Sequence, residues 1–358
     1  MENETEFIKG KRKLYKSAGL ILFIGAFGLL FSRILINLIS EYITNSISDS
    51  GYAEFVIEII FDFLVQVIFL LSTTLLVSRF VLKAKKRNLL EINNVRKVSP
   101  LVCLIAVVIG LIAPAMSYAV NIATNATFIM IGIKIPVSTS VYPQEFNLGV
   151  MLAYIVLTAV LPAVCEEFFN RGVVLTAIRS TFNEWQTVLL GGLVFGLFHQ
   201  YIFQTFYTGV FGMLLVFIAL KTKSIVPCII IHFVNNAVAI ISDFANFYNF
   251  NFASFSTIIS KVANDSNLLF LVVFLGLASL VGLVYLLITV DKKSRDKAIM
   301  KKLNLDHVSL KGVSLDILGG PLGDTVYYRP TAKESAFWWG AFAMAVACTV
   351  ISLFWYSL

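Results

Sequence analysis

Charge is scarce in this sequence: 14% of its residues are Asp, Glu, Lys or Arg and 58% are hydrophobic, where ordinary soluble domains carry about 25% and roughly 45–50%. That shortage excludes an average water-soluble globule. With a mean hydropathy of +0.85 it points to a polytopic membrane protein. Cysteine is scarce too. Cys103, Cys165, Cys228 and Cys348 lie singly in separate apolar segments, which excludes a disulfide framework or a cysteine metal site and leaves them as small core hydrophobes. The H-E-x-x-H helix of the familiar zinc peptidases is absent. No short basic segment ending in a small-residue cleavage site precedes the first apolar run, so that run is expected to stay as an anchor. There is no internal repeat of the kind a transporter built from two matching halves would show.

What is present is a series of long apolar windows, near 17–40, 55–80, 99–122, 148–179, 186–203, 205–220, 225–245, 267–290 and 337–357. A spanning helix needs about 20 mainly apolar residues. The expected fold is therefore an all-α, polytopic transmembrane helix bundle of about nine spans, with eight as the fallback because 205–220 is short.

The formal net charge of +7 sits in particular loops rather than on a soluble domain, so no nucleic-acid partner is expected. Lys9, Lys11, Arg12, Lys13 and Lys16 crowd the N-terminus. Lys83, Lys85, Lys86, Arg87, Arg96 and Lys97 follow the second span, and Lys292, Lys293, Arg295, Lys297, Lys301 and Lys302 follow the eighth. Basic residues collect in cytoplasmic loops, and a cytoplasmic N-terminus puts all three clusters inside. The loops around 41–54, 123–146 and 246–266 hold few basic residues, as outer loops should. The expected location is an integral, multi-pass protein of the cell membrane. The polar stretch 291–336 reads as a cytoplasmic loop, in which His307 is an ordinary solvated histidine.

Ionisable groups at membrane depth are costly and are by default functional or paired. Three constellations carry them: Glu166, Glu167 and Arg171 in "EEFFNRG"; Phe195 and His199 in "FGLFH"; and His232, Asn235 and Asn236 in "HFVNN". On a helix, residues four apart share a face, so Glu167 can pair with Arg171 while Glu166, about 100° around the axis, is left free. Each constellation alone also has a structural reading: a buried ion network, a satisfied core histidine, an interhelical hydrogen-bond clip.

Depth brings them together. If the spans of Glu166 and His199 form an antiparallel hairpin turning at "STFNEW", each residue lies roughly 20–24 Å from the turn at 1.5 Å per residue. Measured inward from "KTKS", His232 and Asn236 come roughly 12 and 18 Å along the next helix. A free carboxylate and an imidazole in one apolar layer can hold and deprotonate a water molecule. A second imidazole and an asparagine amide can donate to a developing oxyanion. Gly191, Gly192 and Gly196 on the His199 helix allow close backbone approach. Elsewhere, Arg33 on the first span is expected to pair with Asp62 on the second near the outer side, with Glu58 close by, and Asp243 falls near an outer helix end.

At these residues the chain resembles the CPBP family of intramembrane proteases, which includes the Rce1-type CAAX prenyl endopeptidases and the bacterial Abi or bacteriocin-processing proteins. The family pattern E-E-x-x-x-R, F-x-x-x-H, H-x-x-x-N/D is matched in order by Glu166-Glu167 to Arg171, Phe195 to His199 and His232 to Asn236. The resemblance implies that Glu166 and His199 activate the attacking water and that His232 and Asn236 stabilise the tetrahedral intermediate, with Glu167, Arg171 and Phe195 supporting. It implies an endopeptidase acting on a membrane-associated peptide or protein. No cofactor is favoured; zinc held by Glu166, His199 and His232 is the alternative. The chain then divides into a cytoplasmic tail (1–16), N-terminal spans (17–147), a catalytic core (148–245), an outer loop and further span (246–290), a cytoplasmic loop (291–336) and a last span (337–358). The rival from another class is a non-catalytic membrane immunity or transport protein.

Overall fold

A computed structural model describes residues 2–46, 51–82, 89–133, 147–248, 262, 265–302 and 328–357. Lys83, Lys85, Lys86 and Arg87, together with His307, lie outside the described residues, as do parts of the three outer loops. Among those described there is helix and no strand. Among the described residues nine helices fall on the nine apolar windows, seven of them long and apolar enough to cross a membrane and two, α5 and α9, shorter over their apolar part: α1 (Glu2–Ser46), α2 (51–81), α3 (Pro100–Met130), α4 (Leu148–Arg179), α5 (Glu184–Phe198), α6 (Ile202–Thr222), α7 (Val226–Phe247), α8 (Ser266–Lys302) and α9 (Ala336–Ser357). The fold is a polytopic helix bundle. Its outer surface is apolar, with Phe270, Phe274, Val281 and Tyr285 exposed along α8, a display that suits a lipid environment.

Local sequence sets the helix ends. Ser99 caps α3 with Pro100 just inside, Asn147 caps α4, and Asn183 with Gln186 forms a reciprocal capping box at α5. The short span is not the one expected. The window at 205–220 extends to a full 21 residues, Ile202–Thr222, whereas α5 has 15, about 22 Å against a hydrocarbon core of about 30 Å. It stops because the chain leaves the helix after His199: Gln200 adopts φ +50° and Tyr201 is extended. Arg33 donates to the carbonyls of His199 and Gln200 at the end of α5, and the Gln200 amide donates to Ala26 O on α1. Arg33, expected to pair with Asp62, is thus turned instead to the end of α5, where a cation and the negative helix terminus attract.

Two buried clusters flank the centre. One joins α3, α6, α7 and α8; the other joins α1, α2, α4 and α9. Between them α5 and α6 approach backbone to backbone. A Cβ on Gly196 would come within 2.4 Å of Thr205 O, and one on Gly192 within 2.7 Å of Gly209 O, so the small residues on α5 are required by the crossing. Apart from Arg33 and Arg171, which lie at the end of α5 and in the core, basic residues meet acidic partners at one end of the bundle: Arg96 and Arg295 at Asp291, Lys221 at Glu184, and Arg12 at Glu334.

That end also fastens the last helix. Trp338 stacks on Tyr15 of α1 and donates to its carbonyl, and the Tyr328 N–H reaches Ser180 O at the α4–α5 turn. Glu334 accepts from the Thr331 N–H at 2.9 Å and the Tyr328 hydroxyl at 2.7 Å. The Thr331 backbone first, then Tyr328 and Arg12, push its carboxyl down to about 2. A depressed carboxylate contributes stability above its unfolded value near 4.5, and that contribution is lost as pH falls towards 2. Wild-type protein in detergent is therefore expected to lose melting temperature more steeply between pH 4.5 and 2.5 than Glu334→Gln. Parallel melting curves for the two would show that Glu334 does not fasten α9.

Candidate active site

The two adjacent glutamates sit on α4, directly before a wide-turned stretch, Phe168–Val174, in which Gly172 has a non-helical ψ of −111°. Wide turns of this kind recur at functional sites. The break is held from outside: the Asn94 amide donates to Arg171 O at 2.9 Å and to Thr176 Oγ1 at 3.0 Å. A Cβ on Gly172 would lie 2.6 Å from Asn93 Oδ1, so the asparagine pair packs straight onto the kink.

The glutamates part as their spacing predicts. Glu167 is fully buried, 2.9 Å from Arg171 Nη1, and the same oxygen lies 2.9 Å from His232 Nδ1 on α7. Arg171, also fully buried, gives its other Nη to Gly212 O on α6 and lays its guanidinium 4.3 Å from the centre of the Phe195 ring. A charge pair this deep is kept by its partners, since either member alone would be a desolvated ion.

Phe195 is the spacer of the site. Its ring meets Arg171 on the face and lies near-perpendicular to His199 (5.1 Å) and His232 (5.8 Å). Packing it there needs Gly212 on α6, where a Cβ would come within 2.8 Å of Phe195 Cβ.

Glu166 faces the other way, into a cavity of about 150 Å³ lined by Gln66, Asn170 and His199 as well as by phenylalanine and leucine side chains. One water needs only about 10–15 Å³. His199 Nδ1 is 2.9 Å from Phe195 O. That contact makes Nδ1 the protonated nitrogen of the neutral ring and leaves a lone pair on Nε2. Glu166 Oε1 accepts from Gln66 Nε2 at 2.8 Å, and Glu166 O accepts from Asn170 Nδ2 at 3.0 Å. A carboxylate, an imidazole lone pair and two amides around one pocket can bind and polarise a water molecule.

The structure thus brings Glu166 and His199 to one cavity and joins Glu167, Arg171 and His232 in a second polar group behind Phe195. His232 and Asn236 do not line that cavity. Asn236 Nδ2 donates to Thr158 O and its Oδ1 accepts from Asn235, each at 3.2 Å. Among the described residues, no three His, Cys, Asp or Glu side chains are grouped so as to hold a metal ion; His232 is turned to Glu167 and Glu166 to the cavity it shares with His199. The sequence motifs do not single out Gln66, Asn170 or Asn94, and Arg33 goes to the end of α5 instead of to its expected partner Asp62. A search confined to ionisable groups passes over an amide such as Gln66, although a lone glutamine in the apolar run "FLVQVIF" was itself a signal.

Residues 148–238 match the Rce1-like family, described as type II CAAX prenyl endopeptidase Rce1-like. The match covers α4 to α7 up to residue 238 and includes every residue of the three motifs. No curated protein and no solved structure matches the chain.

Proposed function

We propose, from the premise that its α4–α7 core matches a family of CAAX endopeptidases, that this chain is an intramembrane endopeptidase. The observation that carries the reading is the division of labour on α4: Glu167 is neutralised by Arg171, and Glu166 is turned to a cavity that it shares with His199. Glu166 takes a proton from a water in that cavity and His199 Nε2 orients the same water. The hydroxide oxygen attacks the substrate carbonyl carbon, the C–N bond breaks, and Glu166 returns the proton to the leaving amine. His232 and Asn236 are assigned the oxyanion on their donor chemistry. Glu167 at Nδ1 leaves His232 Nε2 as the nitrogen that can turn to the substrate, and Asn236 has a second amide hydrogen beyond the one on Thr158 O. The basic end of the bundle is taken as the cytoplasmic face.

The test is cleavage by the purified protein, in lipid nanodiscs, of a membrane-associated peptide carrying a prenylated C-terminus, alongside its unprenylated form. Products are read by mass spectrometry against Glu166→Ala. Cleavage by wild type alone is the expected result. Binding without cleavage would favour a non-catalytic immunity or transport role. Activity is expected to survive a strong chelator, with much less than one zinc per chain by elemental analysis. Stoichiometric zinc whose removal and return track activity would replace this mechanism by the metal-dependent one.

A further inference from the structure

We propose that Gln66 is a positioning residue for Glu166: its amide N–H holds one oxygen of the carboxylate and so sets the angle at which the base meets the attacking water. This rests on the protease reading of the cavity.

Gln66 lies on α2, outside the segment that matches the protease family, and crosses to Glu166 Oε1 at 2.8 Å. Its Nε2 is committed to the carboxylate, and the side chain lines the cavity with Glu166 and His199. A water there has two hydrogens. One must point at Glu166 for transfer and the other is accepted by His199 Nε2, so the water is placed only if the carboxylate stands at a fixed angle to the imidazole, and the Gln66 N–H fixes that angle from a separate helix. Asn170 fixes the same residue from behind through Glu166 O, so side chain and main chain of the base are held independently.

The N–H contact has a kinetic consequence: losing it loosens the base against the water and not the site against the peptide, so kcat should fall with KM little changed.

The experiment measures kcat and KM of peptide cleavage for wild type, Gln66→Leu, Gln66→Asn and Glu166→Gln, each with a melting curve. Gln66→Leu is expected to lower kcat by about tenfold or more, since hydrogen bonds to charged groups are worth that much, with KM little changed. Gln66→Asn keeps the amide but is one methylene short, and should recover part of the loss. Wild-type kcat in Gln66→Leu would overturn the proposal, as would an activity loss that merely follows a fall in melting temperature or that falls on KM instead. If Gln66→Leu does not fold, Gln66→Asn decides by the same two readouts. Full activity in Glu166→Gln would show instead that the protease assignment of the cavity is wrong.

Discussion

Glu166→Gln is expected to lower turnover of a cleavable membrane peptide by about 100-fold or more, and His199→Ala to do the same, with melting temperatures near that of wild type. The size follows from what each group does. Glutamine nearly matches the volume of Glu166 and keeps an oxygen for the Gln66 N–H, so the packing of α4 against α2 survives. What it lacks is the ability to take a proton. His199 holds its place through Nδ1 on Phe195 O and by its edge on the Phe195 ring, contacts confined to its own helix. Its removal therefore empties one wall of the cavity without opening a helix interface. Initial rates at saturating peptide separate the effect on chemistry from that on binding. Either variant retaining most of its turnover would remove that residue from water activation.

Arg171→Ala is expected to act on stability instead, and strongly. Arg171 is the only Lys or Arg that contacts Glu167 among the described residues, and it also ties α4 to Gly212 on α6 and to Phe195 on α5. Deleting it leaves Glu167 ionised in an apolar interior with His232 as its remaining partner. Breaking a buried pair from one side typically costs about 3–5 kcal/mol, which lowers a melting temperature by on the order of 10 °C. Removing both charges in Glu167→Gln/Arg171→Met should be milder than Arg171→Ala alone, because no unpaired ion remains. A normal melting temperature in Arg171→Ala would show that the pair does not hold the core.

The sequence by itself determined the helical architecture, since only apolar runs of spanning length with sparse charge can form it. It also determined that α4 carries one paired and one free carboxylate, because the 3.6-residue period puts Glu167 over Arg171 and turns Glu166 away. The close α5–α6 crossing was legible in Gly192 and Gly196. In each case the physics is local, a matter of one helix's length, period or missing side chain. Tertiary structure alone decided the rest. Gln66 and Glu166 are a hundred residues apart, and nothing in either neighbourhood says that α2 lies along the free face of α4. His232 could have paired with Asn236 one turn on, and its link to Glu167 depends on how α7 packs against α4. Arg33 left its expected partner for the end of α5 because that helix stops early, at a left-handed Gln200 whose φ no periodicity reveals. Contacts between distant segments depend on which faces helices turn to one another, and an apolar all-round helix in lipid carries little amphipathic pattern from which that rotation can be read.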